Sequence, residues 1–245
     1  MMLQAGLRPS LSMINKPLPR YAIHGHDTAL LIIDMQLYAG SRDEGLGRIA
    51  MEKGIQNEFA YYFSRIDEIV PNIQQLMTSC REKGVEVIHL VSEGYTTTAR
   101  DMPYFWQKQD VLCPKGGNPI NPLLAPEPGD IVTAKQACGG FTGGQLDFLL
   151  RNLGIRTLIV TGVVLNQCVE NTVRVAADLS YDVIVVSDGT ATYTPEWQEF
   201  GLDVLADQFA NVWGTSEVLE ELEALPPASV EERGPLAKQV ADPSR

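Results

Sequence analysis

Six short apolar runs punctuate the chain, and longer amphipathic stretches separate them. The runs are "TALLIID" (28–34), "VEVIHLV" (85–91), "DIVTAK" (130–135), "TLIVTG" (157–162), "DVIVVSD" (182–188) and "ANVWGT" (210–215). They are continuously apolar rather than strictly alternating. That suits strands covered on both faces, and hence a parallel sheet. Residues 56–82 carry Phe59, Phe63, Ile66, Ile69, Ile73 and Leu76 at helical spacing and stop at Lys83-Gly84, an ordinary helix-ending signal. Further helices are expected over 143–154, 168–180, 196–209 and 216–224. The alternation predicts an α/β protein: a three-layer α/β/α domain around a six-stranded, mostly parallel sheet with right-handed crossovers.

Two stretches break the alternation. Residues 36–54 are rich in glycine and charge, and residues 93–129 form a long excursion rich in proline and glycine. Excursions of that length serve as lids or subunit contacts, and self-association into a dimer or tetramer is expected. The organisation expected is a loose N-terminal arm over 1–27, a single domain over 28–225 and a flexible or subunit-contacting tail over 226–245. Met13 is an alternative start to Met1.

The formal net charge of −12 argues against nucleic acid and anionic membranes as partners, since both need basic patches. No apolar run is long enough to cross a bilayer, and the N-terminus lacks the apolar core of a signal peptide. Four cysteines, Cys80, Cys113, Cys138 and Cys168, are widely spaced without a CxxC pair. They do not read as a disulfide framework. A cytoplasmic protein with reduced thiols is expected.

Ligands of open parallel sheets bind beyond the carboxyl ends of the strands. Three reactive side chains stand there: Asp34 after the first strand, Lys135 closing the third and Cys168 shortly after the fourth. Each has an ordinary reading, as a turn-forming carboxylate, a solvated ammonium or an inert thiol. Together they make a reactive set. A helix N-terminus and a lysine favour a thiolate, and a carboxylate can take a proton and return it to a leaving group.

"ALLIIDMQ" (29–36) and the stretch from Thr133 to Thr192, with "TAKQACGGFTGGQLDFLL" at its start and "VTGVVLNQCVENTVRVAAD" within it, resemble the isochorismatase-like cysteine hydrolases. The resemblance spans roughly 28–215 and is most specific from Lys135 to Asp188. It implies Asp34 as general base and acid, Lys135 as the residue holding the set in place, and Cys168 as nucleophile. It also implies a cis peptide at Val163-Val164, with the N–H groups of Val164 and Cys168 as an oxyanion hole. The implied activity is hydrolysis of an amide or ureido C–N bond of a small molecule, through a thioester and without a cofactor. The presence of Cys168 argues against the vinyl-ether-cleaving isochorismatase branch.

Family members that bind zinc use a D-x-H motif and a further histidine after the second strand. Here that region reads "LVSEGYTTTARD", and the histidines are His24, His26 and His89. No metal site is expected, and His89 lies within a strand. Biuret hydrolases of the family carry a substrate-binding Gln at about the distance from the cysteine that Gln208 has here. A Gln amide offers donor and acceptor to a ureide, so biuret or triuret is the favoured substrate class. N-carbamoyl amino acids and ureidoacrylate are the alternatives, and a catalytically silent binding protein is the reading of another class. The loop "VVLNQC" departs from the commoner "VATDVC" at Leu165 and Gln167, which changes the pocket. Glu93, Tyr95, Tyr38 and the pair Phe105-Trp106 are further candidates for its wall or lid.

The missing zinc motif generates a first prediction. Exhaustive treatment with a chelator should leave hydrolytic activity intact. Loss of turnover that added zinc restores would overturn that expectation.

Overall fold

The computed structural model describes residues 13–228. Its strands are β1 (Thr28–Ile33), β2 (Glu86–Ser92), β3 (Ile131–Lys135), β4 (Thr157–Val163), β5 (Asp182–Ala191) and β6 (Asn211–Trp213). All neighbours pair in parallel, in the order β3-β2-β1-β4-β5-β6. The helices are α1 (Leu37–Gly40), α2 (Gly45–Glu52), α3 (Ala60–Glu82), α4 (Tyr104–Lys108), α5 (Leu146–Asn152), α6 (Glu170–Asp178), α7 (Pro195–Gln208) and α8 (Thr215–Glu223). The expected three-layer fold is the observed one.

Successive strand residues face opposite sides, and the two sides of β1 show why its run is apolar throughout. Leu30 and Ile32 join Ile66, Ile69, Ile73 and Leu76 of α3 and Leu222 of α8 in one core. Ala29, Leu31 and Ile33 join Leu146 and Leu150 of α5, Val173 of α6 and Leu205 of α7 in the other. Both faces are covered, so no position of β1 tolerates a polar side chain and all six residues are buried.

Differences from the expected boundaries have local causes. Residues 56–59 make a 3-10 turn, and α3 starts at Ala60. The last strand is only three residues long because Gly214 caps α8. Asp188 fixes that junction by accepting from the Thr215 amide and hydroxyl, each at 2.7 Å. The excursion over 93–129 holds α4 and a 3-10 turn at Pro122–Leu124. Residues 36–54 hold α1 and α2.

The expectation of a loose arm needs correction from Pro19 onward. Arg20 pairs with Glu217 and Glu221 of α8 and lies 4.2 Å from the Trp213 ring centroid. The Tyr21 amide donates to Asn211 Oδ1, and Asn211 donates back to the Pro19 carbonyl. Ile23 is buried in the α3 core. Beyond Leu225, the Ala228 amide reaches the Glu82 carbonyl. The rest of the expected tail, and residues 1–12 of the arm, lie outside the described residues.

The chain runs outward from β1 to β2 and β3, then returns to β4 and runs the other way to β5 and β6. The switch point therefore lies between β1 and β4. There Gly162 has a φ of +105°, and a Cβ on it would stand 2.1 Å from the Ile33 carbonyl oxygen. Gly154 has a φ of +74° with open space around it. Gly162→Ala should cost on the order of 3 kcal/mol or more of stability, combining backbone strain with a steric clash. Gly154→Ala should cost only about 1–2 kcal/mol, the left-handed backbone alone. Urea unfolding midpoints check this, and equal losses at the two positions would contradict the close approach of β1 to β4.

Candidate active site

Asp34, the residue after β1, adopts a φ of 52°, a left-handed conformation that aspartate tolerates better than most side chains. Its amide donates to the Leu90 carbonyl of β2 at 2.9 Å. Lys135 ends β3, two strands away, and its Cα pairs in register with Ser92 of β2. The lysine side chain is long enough to cross that distance. Its Nζ lies 2.8 Å from Asp34 Oδ2, and it donates to Ser92 Oγ at 2.8 Å, the Ala137 carbonyl at 3.2 Å and Cys168 Sγ at 3.4 Å. Ser92 Oγ in turn donates to Asp34 Oδ1 at 3.0 Å. The three strand-end residues singled out in the sequence thus meet at one buried ammonium group.

Cys168 lies in a single π turn, Leu165–Val169, that leads from β4 into α6. The peptide between Val163 and Val164 is cis. Thr172 of α6 braces the turn: its hydroxyl donates to the Cys168 carbonyl at 2.6 Å and accepts from the Gly140 amide. The helix expected from residue 168 begins at Glu170 because the wider turn inserts first.

Burial alone would push the Lys135 ammonium toward neutrality. The Asp34 carboxylate first, and then the Cys168 sulfur, outweigh burial and hold its pKa above the ordinary lysine range. The cysteine differs from the sequence expectation of an eased thiolate. Its hydrogen bond with Cys138, its burial and the nearby Asp34 raise the Cys168 pKa despite Lys135. A thiol held toward its protonated form needs a proton acceptor before it can act as a nucleophile.

A cavity of about 240 Å³ opens onto this group, with Asp34, Ser92, Val163, Val164 and Cys168 at its base. One side of its wall is built by the excursion between β2 and β3: Met102, Trp106, Gln109, Val111, Cys113 and Asn118. Tyr38, Leu46, Gln167 and Tyr193 close the other sides. Gln36 ties the excursion down. Its buried amide donates to the carbonyls of Ser92 and Asn118 and accepts from the Ser92 amide. Burial raises the pKa values of Tyr38 and Tyr193, so both present neutral hydroxyls.

Several expected site residues stand elsewhere. Gln208 is exposed at the end of α7 and bonds to neighbouring Asp207. Because α7 runs back from the carboxyl end of β5 to the amino end of β6, its last residue lies at the sheet edge opposite the cavity. Glu93 is turned toward the Gly116 amide, which its carboxylate accepts at 2.9 Å, and so holds the excursion rather than lining the cavity. Tyr95 is 64% exposed and, like Phe105, outside the cavity lining, whereas Trp106 and Tyr38 belong to it. His89 is buried in β2, 3.7 Å from Asp130, and burial lowers its pKa. His24 and His26 stack with ring centroids 6.2 Å apart.

Sequence reasoning missed Ser92 and Cys138. Ser92 had a signal: it ends β2 as Asp34 and Lys135 follow or end their strands, so the same strand-end rule points to it. Cys138 had none, because its Sγ reaches 3.9 Å from Cys168 Sγ only through the turn that follows Lys135.

Comparison with known proteins places most of the chain beside one family. The family model of the isochorismatase domain matches residues 28–217. The ureidoacrylate amidohydrolase RutB of Stutzerimonas stutzeri (strain A1501) is 31% identical over 196 residues, covering 73% of this chain and 75% of that one. RutB of Enterobacter sp. (strain 638) is 30% identical over 193 residues, covering 70% and 78%. The solved structure of a cysteine hydrolase from Pseudomonas syringae pv. phaseolicola 1448A superposes with a TM-score of 0.70 at 27% identity, covering 85% of this chain and 98% of that one.

Ser92 is a positioning residue whose removal can be read separately from folding. Ser92→Ala deletes one bond to the ammonium and one to the carboxylate, so kcat should fall roughly ten- to hundredfold, the range for hydrogen bonds to charged groups. KM should change much less, and Ser92→Thr should recover part of the loss. A variant with unchanged kcat, or one failing in KM alone, would show that the hydroxyl does not set the Asp34–Lys135 geometry.

Proposed function

The chain belongs to the isochorismatase family and is a hydrolase, and within that family we propose that it cleaves a C–N bond of a small ureide or amide through a thioester on Cys168. The observation that carries this is the contact of one buried lysine with both Asp34 and Cys168, at 2.8 and 3.4 Å, at the base of the cavity.

Asp34 accepts the thiol proton, and Cys168 Sγ attacks the carbonyl carbon. The oxyanion forms beside the backbone N–H groups of Val164 and Cys168, the donors assigned to it in this reading. Asp34 returns the proton to the departing nitrogen, which leaves as ammonia or an amine. Water, deprotonated by Asp34, then cleaves the thioester and frees the thiol. Lys135 holds the carboxylate and the sulfur in one geometry and balances the charge passing between them.

Substrate class follows from the wall. Among the described residues the cavity lining contains no arginine and no lysine, and Asp34 is its charged member. A substrate carboxylate would be desolvated there without a counter-ion. Neutral ureides of the biuret and triuret kind suit Gln167, Gln109 and the Tyr38 and Tyr193 hydroxyls better. With Gln208 remote, this neutrality is what favours them. Ureidoacrylate is the second reading, supported by the names of the relatives.

The test is an ammonia-release screen over biuret, triuret, ureidoacrylate, N-carbamoyl amino acids and simple amides. Cys168→Ser should abolish turnover with the fold retained, since a serine hydroxyl is a far weaker nucleophile here. Asp34→Asn should cost about a hundredfold or more. Residual activity above a few per cent in Cys168→Ser would remove the nucleophile from this scheme. Turnover of ureidoacrylate but not biuret or triuret would select the second reading.

A further inference from the structure

The mechanism uses one thiol, yet the structure holds a second beside it. Cys138 Sγ lies 3.9 Å from Cys168 Sγ, within reach of a hydrogen bond between the two sulfurs. Cys138 is half-buried in the turn after Lys135, so the ammonium that steadies Cys168 also lies close in the chain to Cys138. The other two cysteines have other surroundings. Cys80 belongs to α3 and faces the core, where burial raises its pKa. Cys113 lines the cavity but accepts from Asn118 Nδ2, and burial pushes its thiol up to about 11.

We propose that Cys138 and Cys168 form a peroxide-sensitive dithiol, in which limited oxidation joins the two sulfurs in an intramolecular disulfide that switches the nucleophile off and a thiol reductant restores it. A disulfide bond is about 2.0 Å long, so the 3.9 Å gap leaves roughly 2 Å to close by side-chain rotation.

The steps balance. The Cys168 thiolate attacks one oxygen of hydrogen peroxide; an S–O bond forms, the O–O bond breaks, and hydroxide leaves to become water. Cys168 is then a sulfenic acid. The Cys138 thiolate attacks that sulfur; the S–S bond forms, the S–O bond breaks, and a second water departs. The two sulfurs together lose two electrons, which the peroxide gains. A dithiol reductant reverses the change by exchange, returning two electrons and two protons. Peroxide is small enough to reach Cys168 through the cavity that the thiol lines. The hydrogen bond shared by the two sulfurs lowers the Cys138 pKa while that of Cys168 is raised. Asp34, 2.8 Å from the Lys135 ammonium, takes the Cys168 proton in the first step as it does in the proposed hydrolysis, and the more easily ionised Cys138 supplies the thiolate for the second.

Cys138 thereby resolves the sulfenic acid before further oxidation destroys the nucleophile. Mass spectrometry tests this without reference to any substrate, so it stands or falls apart from the proposed hydrolysis. The full-length protein is treated with one to a few equivalents of hydrogen peroxide and digested without reduction. A peptide pair joining Cys138 to Cys168, with loss of two hydrogens, monomeric size on a non-reducing gel and reversal by dithiothreitol, is the expected result. In Cys138→Ser, Cys168 should pass instead to the sulfinic acid, which dithiothreitol does not reverse. Overturning results are a Cys168 that over-oxidises equally fast in both proteins, a cross-link to Cys113 instead, or a covalent dimer.

Discussion

A cation buried out of water is tolerated only when its charge is matched and its donors are filled. Lys135 is 1% exposed, and the site is organised by that constraint. Asp34 supplies the opposing charge, Ser92 and the Ala137 carbonyl take further donors, and Cys168 completes the shell. Removing the lysine would leave a desolvated carboxylate. Removing the carboxylate would leave a desolvated ammonium. The same pairing that keeps the charges stable places a carboxylate and a thiol around one point, as the proposed mechanism requires.

That point exists because of the sheet. Only at the switch between β1 and β4 do the ends of strands from both halves approach without a covering crossover. Close contact there requires Gly162, whose missing Cβ lets β4 lie against Ile33. The two apolar cores on either face of the sheet hold the strands in register. A shift of one residue would turn Lys135 to the other face and away from Asp34.

The excursion between β2 and β3 is where the proposed function puts substrate selection. It is clamped around Gly116 and Asn118 by Glu93 and Gln36, and its apolar and amide side chains form one side of the cavity wall. A wall without free cations narrows the candidate substrates more than the reactive centre does, since the centre would serve any activated C–N bond.

The strands, most helices and the three strand-end residues were legible in the sequence because they are local. Continuous apolar runs report two-sided burial, and a reactive side chain at the end of such a run reports the carboxyl edge of a parallel sheet. The family motif made the roles of Asp34, Lys135 and Cys168 readable as expectations. What no local pattern carries is distance between segments far apart in the chain. The tertiary structure alone decided that Lys135 spans from β3 past β2 to Asp34, that Ser92 bonds to both, and that Cys138 folds back against Cys168. It also decided that Gln208, at an apt spacing from the cysteine, ends at the opposite edge of the sheet. The reason is that α7 reverses direction: residues that follow a strand stay near its carboxyl end only until the next helix carries the chain back.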